Sequence, residues 1–348
     1  MKVLASDASG LMEAADLLRA GSPVGMPTET VYGLAARFDD LAAVAAVYEA
    51  KERPSFDPLI VHIAHPGELS RLVCLEAFSP TGLAVLQQLI GLWPGPLTLV
   101  LPKSEEVSDL VTAGLSTVAV RCPDHPVARE LVKRTGSPLV APSANRFGHV
   151  SPTRACHVQE ELGGRVPAVV EGGPCQVGIE STILSVDAQG RMTLLRPGVL
   201  SREDLCAMIG PVQAREASEG VTAPGQMERH YAPRARLVRL PGGVDTLTES
   251  SLRGWAPGEG RPLALLCVSP PEARVLKSVE GFYEGPVHVR VLAPDGRLAT
   301  AAQNLFAHLR ELDALEPELI LVEEFQGETG LAHAIRDRLR RASRGRHS

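Results

Sequence analysis

The stretch Val24-Gly25-Met26-Pro27-Thr28-Glu29-Thr30-Val31-Tyr32-Gly33-Leu34 restricts what the chain can fold into more than any other. A short apolar run meets Pro27, which has no N–H to give to a sheet and a fixed φ, so a strand must stop there. Thr28, Glu29 and Thr30 then fall at the mouth of that strand's sheet, where open α/β sheets take their ligands. A strand followed by a Ser/Thr-capped turn with no ligand fits the same residues.

Away from this stretch the apolar spacing switches repeatedly between helix and strand. Leu11, Ala14, Ala15, Leu17 and Leu18 share a helical face over residues 8–20, closed by Gly21. Residues 41–50 predict a second helix, ended by Lys51-Glu52-Arg53-Pro54, with Arg53 extended because a proline comes next. Pro58-Leu59-Ile60-Val61-His62-Ile63 reads as a buried strand. Residues 83–92 read as a helix that Trp93-Pro94-Gly95-Pro96 breaks before a strand at 97–101. Thr117-Val118-Ala119-Val120-Arg121 alternates, placing Thr117, Ala119 and Arg121 on one face.

Asp124 and Pro126 are expected as N-cap and first residue of a helix that ends at Gly136. A short strand at 138–142 leads into Ser143-Ala144-Asn145, and Ser151-Pro152-Thr153 reads as the start of a capped helix. Strands are expected at 166–171 and 179–186. No strand–helix–strand rhythm is sustained, so the sheet should be mixed.

Length fits about two domains, with 348 residues in the chain. From 208 to 234 apolar residues thin out among glycines and prolines, which is the composition of a linker. Beyond it, strands at 235–240, 263–268, 287–292 and 319–322 accompany helices at 298–312 and 331–342, the pattern of a smaller α/β domain. The basic run 336–346 reads as a solvated helix face and a frayed end.

A formal net charge of −6 argues against a protein that coats nucleic acid, while leaving room for a local basic cleft. Cys74, Cys122, Cys156, Cys175, Cys206 and Cys267 form no C-x-x-C pair, as expected of reduced thiols in the cytoplasm. Residues 1–19 hold no continuous apolar block, so neither a secretory signal nor a membrane association is expected.

Four cations stand where they can meet phosphate: Lys51 and Arg53 at a helix end, Arg121, and Arg196 before Pro197. Each also fits a helix-end or surface charge pair. His62 lies within an apolar strand, where a satisfied core histidine is the default. No G-x-S-x-G elbow, H-E-x-x-H, Walker A or Rossmann fingerprint is present. The residues alone therefore describe an α/β protein with a polar, cationic cleft.

The ordered set of motifs is more specific than any member. Pro27-Thr28-Glu29-Thr30-Val31-Tyr32-Gly33-Leu34, Lys51-Glu52-Arg53-Pro54 and Pro58-Leu59-Ile60-Val61-His62 come first. Trp93-Pro94-Gly95-Pro96-Leu97-Thr98, Thr117-Val118-Ala119-Val120-Arg121 and Ala141-Pro142-Ser143-Ala144-Asn145 come next. Gly178-Ile179-Glu180-Ser181-Thr182 and Leu195-Arg196-Pro197-Gly198 come last. Together they strongly resemble the YrdC-type threonylcarbamoyl-AMP synthase family over about residues 8–203. Ala223-Pro224-Gly225, His230-Tyr231-Ala232-Pro233 and the α/β pattern of residues 235–348 resemble its long, two-domain branch.

The resemblance implies a YrdC-like catalytic domain at 8–203, a linker at 204–234 and a Rossmann-like α/β domain at 235–348. The first should be a twisted, open, mixed sheet with a large cleft. The implied reaction joins L-threonine, bicarbonate and ATP into threonylcarbamoyl-adenylate and releases pyrophosphate, with Mg²⁺ expected on the nucleotide. The product would feed tRNA threonylcarbamoyl-transferase machinery, and weak tRNA binding is left open.

By motif position, Thr30, His62, Arg121 and Ser181 match the threonine site. Arg53, Asp57, Thr117, Ser143 and Arg196 match the ATP site, and Lys51 and Asn145 fall in the same motifs. Lys51 and Arg53 would neutralise phosphate, with no covalent nucleophile, and His230 and Tyr231 would be the linker's contribution. Gln226 and Glu228 depart from the Met and Tyr that many long members carry there. Two other readings remain open: an RNA-binding module without catalysis, and a carbamoyl-adenylate-forming relative of hydrogenase-maturation proteins. The latter carry zinc-finger Cys pairs that this chain lacks.

Overall fold

A computed structural model describes residues 1–215, 223–225, 227, 230–255, 260–317 and 319–344. Gln226 and Glu228 lie outside them. The chain divides into two compact units: Met1–Phe147 with Ser151–Met227, and Gly148–Val150 with Glu228–Ser348. The first is wider at both ends than the 8–203 expected, because two short flanking strands join its sheet.

The first unit begins β1 (Lys2–Leu4), α1 (Ala8–Arg19), β2 (Val24–Met26), β3 (Gly33–Arg37), α2 (Leu41–Lys51) and β4 (Ile60–His62). It continues with α3 (Pro80–Ile90), β5 (Leu97–Pro102), α4 (Asp109–Thr112), β6 (Thr117–Arg121), α5 (Pro126–Thr135) and β7 (Leu139–Val140). Then come α6 (Ala155–Leu162), β8 (Ala168–Val170), β9 (Thr182–Val186), β10 (Met192–Arg196), α7 (Arg202–Met208) and β11 (Val212–Ala214). Among the described residues these strands make one open sheet in the order β1-β8-β2-β3-β7-β4-β6-β5-β9-β10-β11. Its pairing is mixed as expected: β4 and β6 run parallel, while β5 and β6 run antiparallel.

Register matters most for the site. His62 lies opposite Arg121, Arg121 opposite Thr98, Thr98 opposite Ile183, and Ile183 opposite Arg196. Residues that pair directly share a face of the sheet, so these five form one row. Their chain neighbours Val61, Val120, Leu99 and Leu184 point the other way, into a core with Val44 and Val47 of α2 and Leu86 and Leu89 of α3. Each such fully buried side chain contributes about 1.5–3 kcal/mol. Leu11, Ala14 and Leu18 of α1 pack with Ala128 and Leu131 of α5 in a second cluster.

Some predicted boundaries moved for identifiable reasons. His125, and not Asp124, occupies the N-cap position of α5, with Pro126 next to it. Ser151 does not cap a helix, because its hydroxyl donates to Glu180 Oε1 at 2.6 Å; α6 starts later, at Ala155.

The second unit carries β12 (Arg236–Leu240), α8 (Glu249–Trp255), β13 (Leu263–Cys267), α9 (Ala273–Phe282), β14 (Val287–Val291), α10 (Leu298–Asp313), β15 (Leu319–Glu323) and α11 (Gly330–Ala342). Its strands are all parallel, in the order β12-β15-β13-β14. The unbroken apolar run of β13 fits a strand covered on both faces, and every residue of it is fully buried. The basic run near the C-terminus corrects an expectation. Arg338 is 1% exposed, and Asp337, also buried, pairs with Arg338, Arg340 and Arg341. Burial opposes the Asp337 charge, yet these arginines hold its carboxyl below the usual range. Residues 345 and 346 of that run lie outside the described residues.

Candidate functional site

β2 stops at Pro27 and the chain returns along β3 from Gly33, so Thr28, Glu29 and Thr30 form the turn between two antiparallel strands. All three are buried. Thr28 Oγ1 donates to Val31 O at 2.6 Å and accepts from the amides of Thr30 and Val31 at 3.2 Å, which fixes the turn. Opposite, Gly172 packs against Pro27: a Cβ there would lie 2.5 Å from the ring carbons, so only glycine allows this approach.

Arg121, at the end of β6, reaches into the turn. Its Nη1 donates to Thr30 Oγ1 at 2.8 Å and its Nη2 lies 2.5 Å from Glu29 Oε1, with both side chains of the ion pair almost fully buried. Burial raises the Glu29 pKa, but Arg121 and its hydrogen bonds more than offset this, so the carboxyl stays below its usual value. His62, next to Arg121 in the row, is 3% exposed, and its Nδ1 lies 3.2 Å from Ile60 O. Burial, reinforced by Arg121, depresses its pKa to about 3. The imidazole is therefore neutral at physiological pH.

That depression gives a first expected result. Between the ordinary value of 6.5 and about 3, the unfolded chain binds a proton at this position and the folded chain does not. The His62 contribution is thus complete above pH 6.5 and is lost as pH falls towards 3, with a slope of up to about 1.4 kcal/mol per pH unit. Urea melts of the wild type and His62→Gln between pH 7 and 4.5 should show a shallower pH dependence in the variant; equal slopes would refute this.

Further cations gather towards the other end of the row, where Arg196 stands. Arg53 leaves α2 after Glu52, whose φ of 53° turns the chain, and its Nη2 lies 2.8 Å from Asp57 Oδ2. It also donates to the carbonyls of Asp57 at 3.1 Å and Pro58 at 2.9 Å. Arg196 donates through Nε and Nη2 to Ser181 O, through Nη2 to Ser181 Oγ at 3.1 Å, and through Nη1 to Pro224 O at 3.2 Å. Ser181 in turn shares a 2.7 Å hydroxyl hydrogen bond with Thr98 of the row. Gly198 lets this strand end close up, since a Cβ there would lie 2.4 Å from the Thr182 amide.

Lys51 is 1% exposed and donates to the carbonyls of Ser143 and Asn145. Burial, aided by Arg53, holds its pKa well below the ordinary lysine value. The same loop is tied to the first half of the site, because the Ala144 amide donates to Tyr32 O at 2.8 Å. Asp57, fully buried, feels Arg53, Lys51 and Arg196 at once; burial nevertheless raises its pKa.

The structure thus gathers Thr30, His62 and Arg121 in one cluster and Lys51, Arg53, Asp57 and Arg196 in another, with Ser181 and Thr98 between. Ser143 and Asn145 stand on the loop that Lys51 holds. Thr117 lies at the opposite end of β6 from Arg121, paired with Pro102, about 13 Å along the strand. His230 and Tyr231 belong to the second unit. Motif matching did not single out Glu29 or Thr98. A lone acid between two threonines after a strand-ending proline, and a lone threonine in an apolar strand, were the signals available.

Chemically the two clusters differ. In the first, one guanidinium faces one carboxylate beside a neutral imidazole, a balanced set suited to a zwitterion of amino-acid size. In the second, three cations surround a single acid, a set suited to polyphosphate. Among the described residues no group of three or more His, Cys, Asp or Glu stands together to hold a metal ion.

The Sua5/YciO/YrdC family model, described as telomere recombination, matches residues 16–198. A second model, the C-terminal domain of threonylcarbamoyl-AMP synthase, matches residues 200–344. Threonylcarbamoyl-AMP synthase of Bacillus subtilis is 40% identical over 97% of this chain and 93% of its own length. The protein of that name from Pyrococcus abyssi is 38% identical over 95% and 93%. The crystal structure of Pyrococcus abyssi Sua5 complexed with L-threonine superposes with a TM-score of 0.85 at 34% identity, covering 99% of this chain and 98% of that one. A variant of Pyrococcus abyssi Sua5, with a histidine and the adjacent tyrosine replaced by alanine, gives 0.83 at 33% identity, covering 99% and 97%. The chain belongs to the two-domain Sua5 branch of the threonylcarbamoyl-AMP synthase family.

Proposed function

We propose that this protein is an L-threonylcarbamoyladenylate synthase, a nucleotidyltransferase that uses L-threonine, bicarbonate and ATP. The observation that carries the reading is one row of one sheet that runs from Arg121, paired with Glu29 and bound to Thr30, to Arg196, which acts on Asp57 together with Arg53 and Lys51. Threonine sits at the Arg121 end. Its carboxylate meets Arg121, its ammonium meets Glu29, and Thr30, His62 and Ser181 surround the rest.

ATP sits at the Arg196 end, with Arg53, Arg196 and Lys51 along its phosphates and Asp57, Thr117, Ser143 and Asn145 around the nucleotide. Mg²⁺ arrives on the nucleotide.

Threonine's ammonium gives up a proton, and the free amine adds to carbon dioxide with loss of a second proton, or to bicarbonate with loss of water, to give a carbamate. A carbamate oxygen then attacks the α-phosphorus, the bond to the bridging oxygen breaks, and pyrophosphate leaves with that electron pair. Neither step forms a bond to the enzyme. Alignment of the two substrates and neutralisation of the leaving group supply the rate. Burial of the pocket walls keeps water from the carbamate and the mixed anhydride. We infer that the adenylate passes to machinery that modifies tRNA. Of the described residues, no helix is long and apolar enough to cross a membrane.

The test is an assay of purified protein with ATP, Mg²⁺, bicarbonate and L-threonine. Pyrophosphate release should depend on both threonine and bicarbonate, and mass spectrometry should find threonylcarbamoyl-adenylate. Turnover that persists without threonine would refute the reading.

A further inference from the structure

Three residues of the catalytic run, Gly148–Val150, belong to the second unit. They come soon after the Ser143–Asn145 loop, and the intervening Phe147 amide donates to Lys51 O at 2.7 Å. Within the second unit the Ala232 amide donates to Gly148 O at 2.8 Å, and His149 forms an isolated parallel bridge with Ala232. Arg310 Nη2 donates to Val150 O.

The partner strand of this bridge is itself held. Tyr231 is fully buried, stands in the left-handed region with a φ of 64°, and stacks on Phe306 at 5.3 Å between ring centroids. Arg338 lies over the same ring at 5.6 Å. A tyrosine with positive φ persists only where its surroundings fix it. Phe306 and Arg310 are four residues apart on α10, hence on one face of it. One helix face therefore holds both sides of the bridge, Tyr231 beside Ala232 and Val150 beside His149.

We propose that the second unit acts on the nucleotide half of the site through Gly148–Val150, and that Arg310 is a positioning residue for the Ser143–Asn145 loop. This rests on the ATP reading given under Proposed function. Val150 lies only five residues beyond Asn145, within about 18 Å of chain even when fully extended, so fixing Val150 narrows what the loop can sample. The Lys51 ammonium, bound to two carbonyls of that loop, needs the loop in place to stay where it is.

The test uses the full-length chain, with Arg310→Met and the conservative Arg310→Lys. Loss of the charged hydrogen bond should raise the KM for ATP about tenfold while the KM for threonine moves less than about twofold. Lysine, which can still donate to one carbonyl, should restore most of the loss. Hydrogen exchange should speed up at residues 143–150 in Arg310→Met and stay unchanged in β12, β13, β14 and β15. An unchanged KM for ATP overturns the proposal. So does an equal rise in both KM values, or faster exchange across the second unit's sheet, since either makes Arg310 a residue of its own unit's stability. If the wild type shows no ATP turnover, the functional reading fails by itself, and exchange alone decides whether Arg310 holds residues 143–150.

Discussion

Arg121→Met will abolish threonine-dependent turnover and lower stability by about 3–5 kcal/mol, the larger of the two main effects expected. The guanidinium donates to Thr30 Oγ1, pairs with Glu29, and lies opposite both His62 and Thr98 in the sheet. Methionine fills most of the volume but leaves the Glu29 carboxylate buried without its ion pair. Removing one partner of a buried pair costs far more than removing both, because the remaining charge has lost its hydration and its counter-charge. The double variant Glu29→Gln with Arg121→Met should therefore recover most of the stability and none of the activity.

The pH dependence has a definite sign. In the wild type the Glu29 pKa is lowered, so its contribution is present above the unfolded value of 4.5 and is lost as pH falls through the folded value. In Arg121→Met the shift reverses, and acid should relieve part of the destabilisation. Urea melts at pH 7 and 5 on the two variants, with the pyrophosphate assay, check each element. A single variant as stable as the wild type would show that the pair is a surface-like contact.

Arg53→Met should reduce ATP use by about tenfold or more, equivalent to the 1.5–3 kcal/mol of a hydrogen bond to a charged group in a shielded site. Arg53→Lys should not rescue it. The guanidinium spans the Asp57 carboxylate and the carbonyls of Asp57 and Pro58, a planar arrangement that a single ammonium cannot reproduce. The stability cost should be smaller than for Arg121. Burial already raises the Asp57 pKa in the wild type, so with Arg53 gone the carboxyl can take up a proton instead of remaining a bare buried charge. A group with a raised folded pKa loses its stabilising contribution as pH rises, so the Arg53→Met penalty should grow with pH from about 4 upward. Initial rates against ATP at fixed threonine, and the reverse, separate this effect from a general loss of fold. An unaltered KM and kcat for ATP would leave Arg53 as a helix-end cation only.

Much of this was legible in the chain and some was not, for physical reasons. Pro27 announced the end of β2 because a missing N–H is a local property. The alternation over residues 117–121 announced the face that Arg121 occupies. The return strand β3 was not legible: Gly33-Leu34-Ala35-Ala36-Arg37 lacks both alternation and β-branching, and only its pairing with β2 and β7 makes it a strand. β1 and β11 are three residues each, too short for any period. Glu29 could be read as polar turn chemistry, but its partner lies 92 positions away and no local signal names it. The basic run near the C-terminus misled for the opposite reason. Its charge density looked solvated, and the Asp337 that neutralises it from within has no distinguishing local context.

The row from His62 to Arg196 also acts as a ruler. Neighbouring strands are about 4.8 Å apart, so Arg121 and Arg196, separated by three strand spacings, stand about 14 Å apart whatever their side chains do. In the proposed reading, the gap between the two substrates is thus a property of backbone hydrogen bonding and cannot be tuned by a loop. On that reading, enlarging the amino acid would call for reshaping the Thr28–Thr30 turn, whereas the span to the nucleotide would stay as it is. A one-residue slip of β6 would move every marking on this ruler to the wrong face of the sheet at once.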